Sequence, residues 1–181
     1  MFANYRHTKI DSQSFSITSE YSKQKIQSVL GAAGQTRKSL HSTTPLAPDF
    51  QLTSTDGQSV RLSDFRGVRV ILAFSATWGR LCQSQLPALT RLDRKDGVRV
   101  LAICSGEAPH IVEDFVSEHN IPFPVLSDCD GKVKQQYQVT CLPMTFCIDE
   151  QGRIAGMYRG EVDEATLNHW LAGVSSVAAL Q

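Results

Sequence analysis

VILAFSATWGRLCQSQLP, residues 70–87, is the stretch whose reading decides the fold. It continues an almost unbroken apolar run from Val68 to Phe74, the pattern of a strand buried on both faces. The run breaks at Ser75-Ala76-Thr77, and a helix is predicted from about Gly79 to Asp93. Its inner face carries Cys82, Leu86, Leu89 and Leu92, at the spacing of an amphipathic helix. The junction at 75–82 therefore lies at the carboxyl end of a central strand, where α/β sheets build their sites.

The pattern extends in both directions. Upstream, Phe50–Thr53 and Val60–Leu62 read as two short strands around an Asp56-Gly57 turn, an N-terminal β-hairpin. Downstream, Val98–Ser105 is a second buried strand and His110–His119 a helix. Ile121–Leu126, with Pro122 and Pro124, reads as an extended connection, because proline disfavours helix at the residue before it. Gly131–Tyr137 is a short helix, and Met144–Asp149 and Arg153–Tyr158 are strands joined by a turn. A last helix runs from about Asp163, with Leu167, Trp170, Leu171 and Val174 on its apolar side. Alternating strands and helices, followed by a hairpin and a closing helix, predict an α/β fold: a central mixed sheet flanked by helices.

Composition bounds the functional classes. The chain has 181 residues with equal numbers of Lys+Arg and Asp+Glu, 18 each, so net charge gives no argument for nucleic acid or a membrane surface. The charge is unevenly placed. Residues 1–45 hold six Lys/Arg against two Asp/Glu, which leaves the remainder mildly acidic. That first stretch is rich in Ser, Thr, Gln and Lys. Residues 1–44 read as a mostly disordered extension with one weak helical pattern from Glu20 to Ala33, and 45–181 as the folded domain. No apolar run is long enough to span a membrane. The start of the chain lacks the apolar segment of a secretory signal, so a cytoplasmic location is expected, with organelle targeting through the extension as the alternative. The five cysteines, at 82, 104, 129, 141 and 147, are odd in number and irregular in spacing, which argues against a disulfide framework. No Cys/His cluster has zinc-ligand spacing, and no phosphate-binding glycine motif is present. Neither a metal nor a cofactor is therefore expected.

Four ordered segments carry a resemblance: PDFQLTSTDGQSVRLSDFRG (48–67), VILAFSATWGRLCQSQLP (70–87), IPFPVLSDCDGKVKQQYQV (121–139) and LPMTFCIDEQGRI (142–154). Together they resemble the redoxin (AhpC/TSA) family of the thioredoxin-like superfamily, nearest its TlpA/ResA-like branch. The resemblance implies a thioredoxin-like fold and thiol chemistry. The family motif runs aromatic-Ala-Thr-Trp-Cys-x-Pro-Cys, then Glu-x-Pro. In this chain Trp78, Cys82 and Pro87 match, while Gly79 stands for the first cysteine, Leu81 for the motif proline and Gln85 for the glutamate. A C-x-x-C disulfide cannot form. The peroxiredoxin pattern Pro-x-x-x-Thr-x-x-Cys also fails, since Ser75 and Gly79 occupy its proline and threonine positions. Leu142-Pro143-Met144-Thr145 resembles the family's cis-proline loop.

The resemblance implies Cys82 as the catalytic thiol, with Trp78, Gly79, Leu142 and Pro143 forming the substrate surface. Trp78 is expected to cover the site, and the Cys82 sulfur to face solvent beside the Pro143 turn. The alternative is a small hydrophobic Cys82 buried on its helix face. Cys141, two residues before Pro143, is a candidate resolving cysteine, with Cys104 a weaker one. The implied activity is reduction of a disulfide or hydroperoxide, on a protein or small-molecule substrate, reset by a small thiol or a thioredoxin-type reductant. The rival is a binding module that has lost turnover and uses the groove beside Pro143.

Overall fold

The structure is a computed structural model, and it describes residues 44–172. The weak helical pattern at 20–33 and Val174 lie outside the described residues. Seven strands form one mixed sheet: β1 (Gln51–Ser54), β2 (Ser59–Arg61), β3 (Arg69–Ser75), β4 (Val98–Ser105), β5 (Val125–Asp128), β6 (Met144–Ile148) and β7 (Ile154–Arg159). Their order across the sheet is β2-β1-β5-β4-β3-β6-β7. The central strands β5, β4 and β3 are parallel; β1, β6 and β7 each run antiparallel to their inner neighbour. This is the expected thioredoxin-like arrangement, with β1 and β2 as the N-terminal hairpin.

Among the described residues there are a 3-10 turn at Leu62–Phe65 and five α-helices: α1 (Arg80–Ser84), α2 (Leu86–Asp93), α3 (Pro109–His119), α4 (Lys132–Gln136) and α5 (Glu164–Leu171). Two differences from the sequence reading have clear causes. The helix expected over 79–93 is divided at Gln85, with Pro87 in the first turn of the second piece. Proline has no N–H to return to the carbonyl four residues back, so the helical ladder breaks there. The connection expected at Ile121–Leu126 ends in a strand, β5. There Ser127 pairs with Thr53 on one side and Cys104 on the other. The prolines mask a strand that begins directly after them.

Period-two alternation divides the core between the two faces of the sheet. On one face Leu72, Phe74, Leu101 and Phe146 pack with the hairpin and α4. Tyr137 anchors that side: its ring lies 5.3 Å from Phe74 and 5.2 Å from Phe146, and its hydroxyl donates to the Pro48 carbonyl at 2.8 Å. On the other face Ile71, Ala73, Val100 and Cys147 pack under Leu89, Val112 and Leu167 of α2, α3 and α5. Asp163 caps α5 by accepting from the Thr166 N–H at 2.7 Å. At the far end, the Arg69 guanidinium donates to the carbonyls of Trp170 (2.6 Å) and Leu171 (2.9 Å). It thereby satisfies carbonyls that a helix end leaves without partners.

Gly156 on β7 allows Trp170 to close this core. A Cβ at 156 would stand 2.5 Å from the Trp170 indole nitrogen and 2.8 Å from its Cε2. Gly156→Ala therefore forces the indole out, and overpacking of this kind costs about 1–3 kcal/mol. Urea unfolding should show the midpoint falling accordingly.

Candidate redox site

The register of β3 with its neighbours assembles the site. Phe74 lies opposite Met144, so the chain leaving β3 at Ser75 emerges beside Pro143, the residue before β6. On the other side Ser75 pairs with Cys104 at the end of β4. The Leu142–Pro143 peptide bond is cis. Pro143 is buried, and its carbonyl accepts from the Gly160 N–H at 2.8 Å. The turn from Ala76 to Gly79 closes with the Gly79 N–H donating to the Ala76 carbonyl at 3.1 Å. α1 begins immediately after it.

Cys82, in the middle of α1, turns its sulfur back under this turn. The residue is only 2% exposed, so the sulfur does not face solvent as expected. Two groups of the turn attend it. The Ala76 N–H donates to Sγ at 3.4 Å, and the Ser75 hydroxyl also interacts with the thiol. Burial pushes the thiol pKa up, the Ala76 and Ser75 contacts pull it down, and the Glu107 charge pushes it up again. The balance lies above the ordinary value, with burial the largest cause. Cys82 lies in the first turn of α1, but a helix of only five residues carries a small dipole, so its help to the thiolate is modest.

Gly79 meets this sulfur directly. A Cβ at 79 would lie 2.9 Å from the Cys82 Sγ and 3.3 Å from its Cβ. Non-bonded atoms do not approach so closely, but a disulfide places the Cβ of one half about 3 Å from the sulfur of the other. The backbone thus retains the approach of a C-x-x-C pair, although one sulfur is missing.

Glu107, on the loop after β4, is marked by no motif in the sequence. Its carboxylate accepts the Thr77 N–H at 3.1 Å and also the Thr77 hydroxyl, tying the redox turn to the end of β4. In the sequence Gln85 stands out only as the replacement for the motif glutamate. It is 1% exposed, and neither side-chain amide atom has a hydrogen-bond partner. Trp78, next to Gly79 on the turn, is 75% exposed.

The cysteines are all free. Cys82, Cys104 and Cys147 are buried, while Cys129 and Cys141 are exposed. Burial raises both Cys104 and Cys147 to about 12, and Cys147 serves as core between sheet and helices. Cys104 interacts electrostatically with both Cys82 and Glu107, so these three groups share one neighbourhood. Cys141 sits on the exposed approach to half-buried Leu142. Among the described residues no group of three or more His, Cys, Asp or Glu side chains is placed to hold a metal, and no helix is long and apolar enough to cross a membrane.

Comparison with known proteins accords with this geometry. Residues 44–157 match the AhpC/TSA family. The chain belongs to that family. Within it, the chain is similar to proteins named thiol-disulfide oxidoreductase ResA. It is 34% identical to that of Geobacillus kaustophilus (strain HTA426), over 77% of this chain and 82% of the relative. It is 32% identical to that of Bacillus thuringiensis subsp. konkukian (strain 97-27), over 71% and 76%. Among solved structures, the exposed lipoprotein thioredoxin Etrx1 of Streptococcus pneumoniae strain TIGR4 superposes with a TM-score of 0.63 at 27% identity. That match covers 70% of this chain and 99% of Etrx1. Against its AhpC/TSA relatives of the ResA kind, this chain is a thiol-oxidoreductase fold with an altered W-G-R-L-C motif.

Because its thiol pKa is raised, Cys82 should be mostly protonated at neutral pH. Its alkylation by iodoacetamide, followed by peptide mass spectrometry, should still be accelerating above pH 9. Glu107→Gln removes a charge that opposes thiolate formation, so the profile should move to lower pH. It should not reach that of an ordinary thiol, since burial is the larger cause.

Proposed function

We propose that this AhpC/TSA protein is a thiol–disulfide oxidoreductase that works through one motif cysteine, Cys82, by forming a mixed disulfide with its substrate. The observation that carries the reading is the bare approach at Gly79, with its Cα held where a Cβ would be 2.9 Å from the Cys82 sulfur. In a C-x-x-C protein that approach belongs to the partner cysteine. In this chain an external sulfur supplies the missing half.

The exchange begins when Cys82 loses its proton and attacks a substrate disulfide, R–S–S–R′. The Cys82–S–S–R bond forms, the S–S bond of the substrate breaks, and R′–S⁻ leaves with the electron pair. The Ala76 N–H and the Ser75 hydroxyl are the groups of this chain that stabilise the attacking thiolate. A second thiol completes the cycle by attacking the mixed disulfide and restoring Cys82. A small thiol or thioredoxin-type reductant can fill this role, and a reducing cytoplasm would supply one. Within the chain Cys141 is the candidate, being exposed and two residues before Pro143. Its attack on the Cys82 sulfur expels R–S⁻ and leaves a Cys82–Cys141 disulfide for the external reductant. Trp78, Gly79 and Leu142 form the surface against which the substrate is held, and the expected fourth member, Pro143, lies buried behind Leu142 and shapes that surface from beneath. Hydroperoxide reduction has less support, because neither Ser75 nor Gly79 meets the peroxidatic pattern.

The burial of Cys82 and its raised pKa favour the rival reading, a binding module without turnover. Insulin-disulfide reduction with a small-thiol reductant separates the two. Cys82→Ser should lose on the order of tenfold or more of the activity, since only a thiolate performs the exchange. Equal turnover in both proteins would sink the role given to Cys82, and none in either would favour the module. With Cys141→Ser, a Cys82 adduct of the substrate thiol should accumulate in intact-mass spectra. Gly79→Cys should form a 79–82 disulfide under mild oxidation and gain reductase activity.

A further inference from the structure

Exposed apolar side chains gather at the redox turn. Of the five large hydrophobic residues exposed among those described, Trp78 (75%) and Leu81 lie on the turn and α1, and Ile111 (44%) lies on α3. Between turn and helix runs an open cleft of about 410 Å³, walled by Trp78 and Gln83 on one side and Ile111 and Phe115 on the other. Gln83 fixes its wall by donating from Nε2 to the Thr77 carbonyl at 2.8 Å. His119 closes one end with its ring against Phe115, 4.2 Å between centroids.

The cleft also has a sign. Asp114 and Glu118, one turn apart on α3, line it. Both are exposed, and neither forms an ion pair among the described residues. α3 carries Glu113 as well and contains no Lys or Arg. Arg80, the cation nearest in sequence to Trp78, is not among the residues lining the cleft. Two unpaired carboxylates beside an exposed indole leave apolar area and negative charge for an occupant to match.

The geometry points to this cleft as the docking groove for an extended peptide segment of the partner protein, bearing an apolar side chain and a Lys or Arg within a few residues of its cysteine. The assignment rests on the reading of Cys82 as the exchanging thiol, and it names the substrate class for that thiol: cationic protein segments in preference to anionic ones. The apolar side chain lies between Trp78 and Ile111. The cation meets Asp114 and Glu118, while the chain continues toward the turn that covers Cys82. The charge acts as a selector, excluding acidic segments by repulsion from the same two carboxylates.

The test uses the full-length protein and two fluorescein-labelled peptides with serine in place of cysteine. They are identical except that one carries Lys and the other Glu at two positions flanking a Leu. Fluorescence anisotropy should show the Lys peptide binding about fivefold tighter at low ionic strength, the scale of two exposed ion pairs. The preference should vanish in 1 M salt. The double variant Asp114→Asn/Glu118→Gln should equalise the two peptides, and Trp78→Ala should weaken both. Equal binding to the wild type, or a preference surviving in the double variant, overturns the assignment. So does self-association in sedimentation that the double variant abolishes, since a second copy would then fill the cleft. A separate measurement, the Cys82 adduct formed with the uncharged hydroxyethyl disulfide, reports the thiol reading alone. An adduct without charge preference defeats the docking groove only, and a charge preference without an adduct defeats the thiol reading only.

Discussion

Strand β3 is the constraint on which the rest of the structure depends. It is the strand from which the redox turn leaves, it is flanked by β4 and β6, and its residues from Val70 to Phe74 are buried. Its parallel register with β4 brings Ser75 beside Cys104 and, through the loop that follows, within reach of Glu107. Its antiparallel register with β6 brings the same end beside Pro143. A slip of one residue would turn every side chain of the strand to the opposite face. It would also separate the turn from both loops. The apolar run that builds the core is thus the same feature that fixes the site.

Opposing influences meet at Cys82. Burial disfavours the thiolate, and the Glu107 carboxylate disfavours it further. The Ala76 N–H and the Ser75 hydroxyl favour it. Glu107 is retained at a cost to the thiolate because it does something else: it accepts both the N–H and the hydroxyl of Thr77. Without it, a buried or half-buried N–H in a tight turn would need another partner. The carboxylate that holds the turn in shape therefore also restrains the reactivity beneath it. Positioning and activation compete for one charge, and the geometry of the turn has been favoured.

Much of this was legible in the sequence. Val68–Phe74 and Val98–Ser105 declared themselves as buried strands by their apolar runs, and Cys82 declared itself by its spacing from Trp78 and Pro87. What stayed hidden depended on contacts between distant elements. Glu107 follows a Ser-Gly pair in a loop, and nothing local indicates that its carboxylate reaches Thr77, thirty residues earlier. β5 is only four residues long and follows two prolines, so its strand character comes from pairing with β1 and β4. The exposure of Trp78 could not be read from an aromatic residue at a strand end, a position as common in cores as on surfaces. The burial of Gln85 follows from its helical phase with Cys82 and Leu89, yet a glutamine at that phase reads as an interruption of the apolar face.

In the proposed mechanism, Gly79 in place of the first motif cysteine changes the kinetics of exchange more than its chemistry. In a C-x-x-C pair the second sulfur is tethered beside the first, and an intramolecular attack of that kind has a very high effective concentration. The mixed disulfide is then resolved quickly, and substrate and enzyme part. With glycine at 79 the tethered competitor is absent. In the proposed mechanism the mixed disulfide on Cys82 therefore persists until a second thiol arrives, either from solution or from Cys141 on the opposite loop. In that mechanism the persistence of the intermediate is governed by access, because Cys82 is 2% exposed and its sulfur lies under the turn. A site working by that mechanism would suit holding one selected partner for a time better than rapid turnover of many. A long-lived adduct also gives weak contacts around the site, such as those of an exposed indole and two carboxylates, time to discriminate between partners.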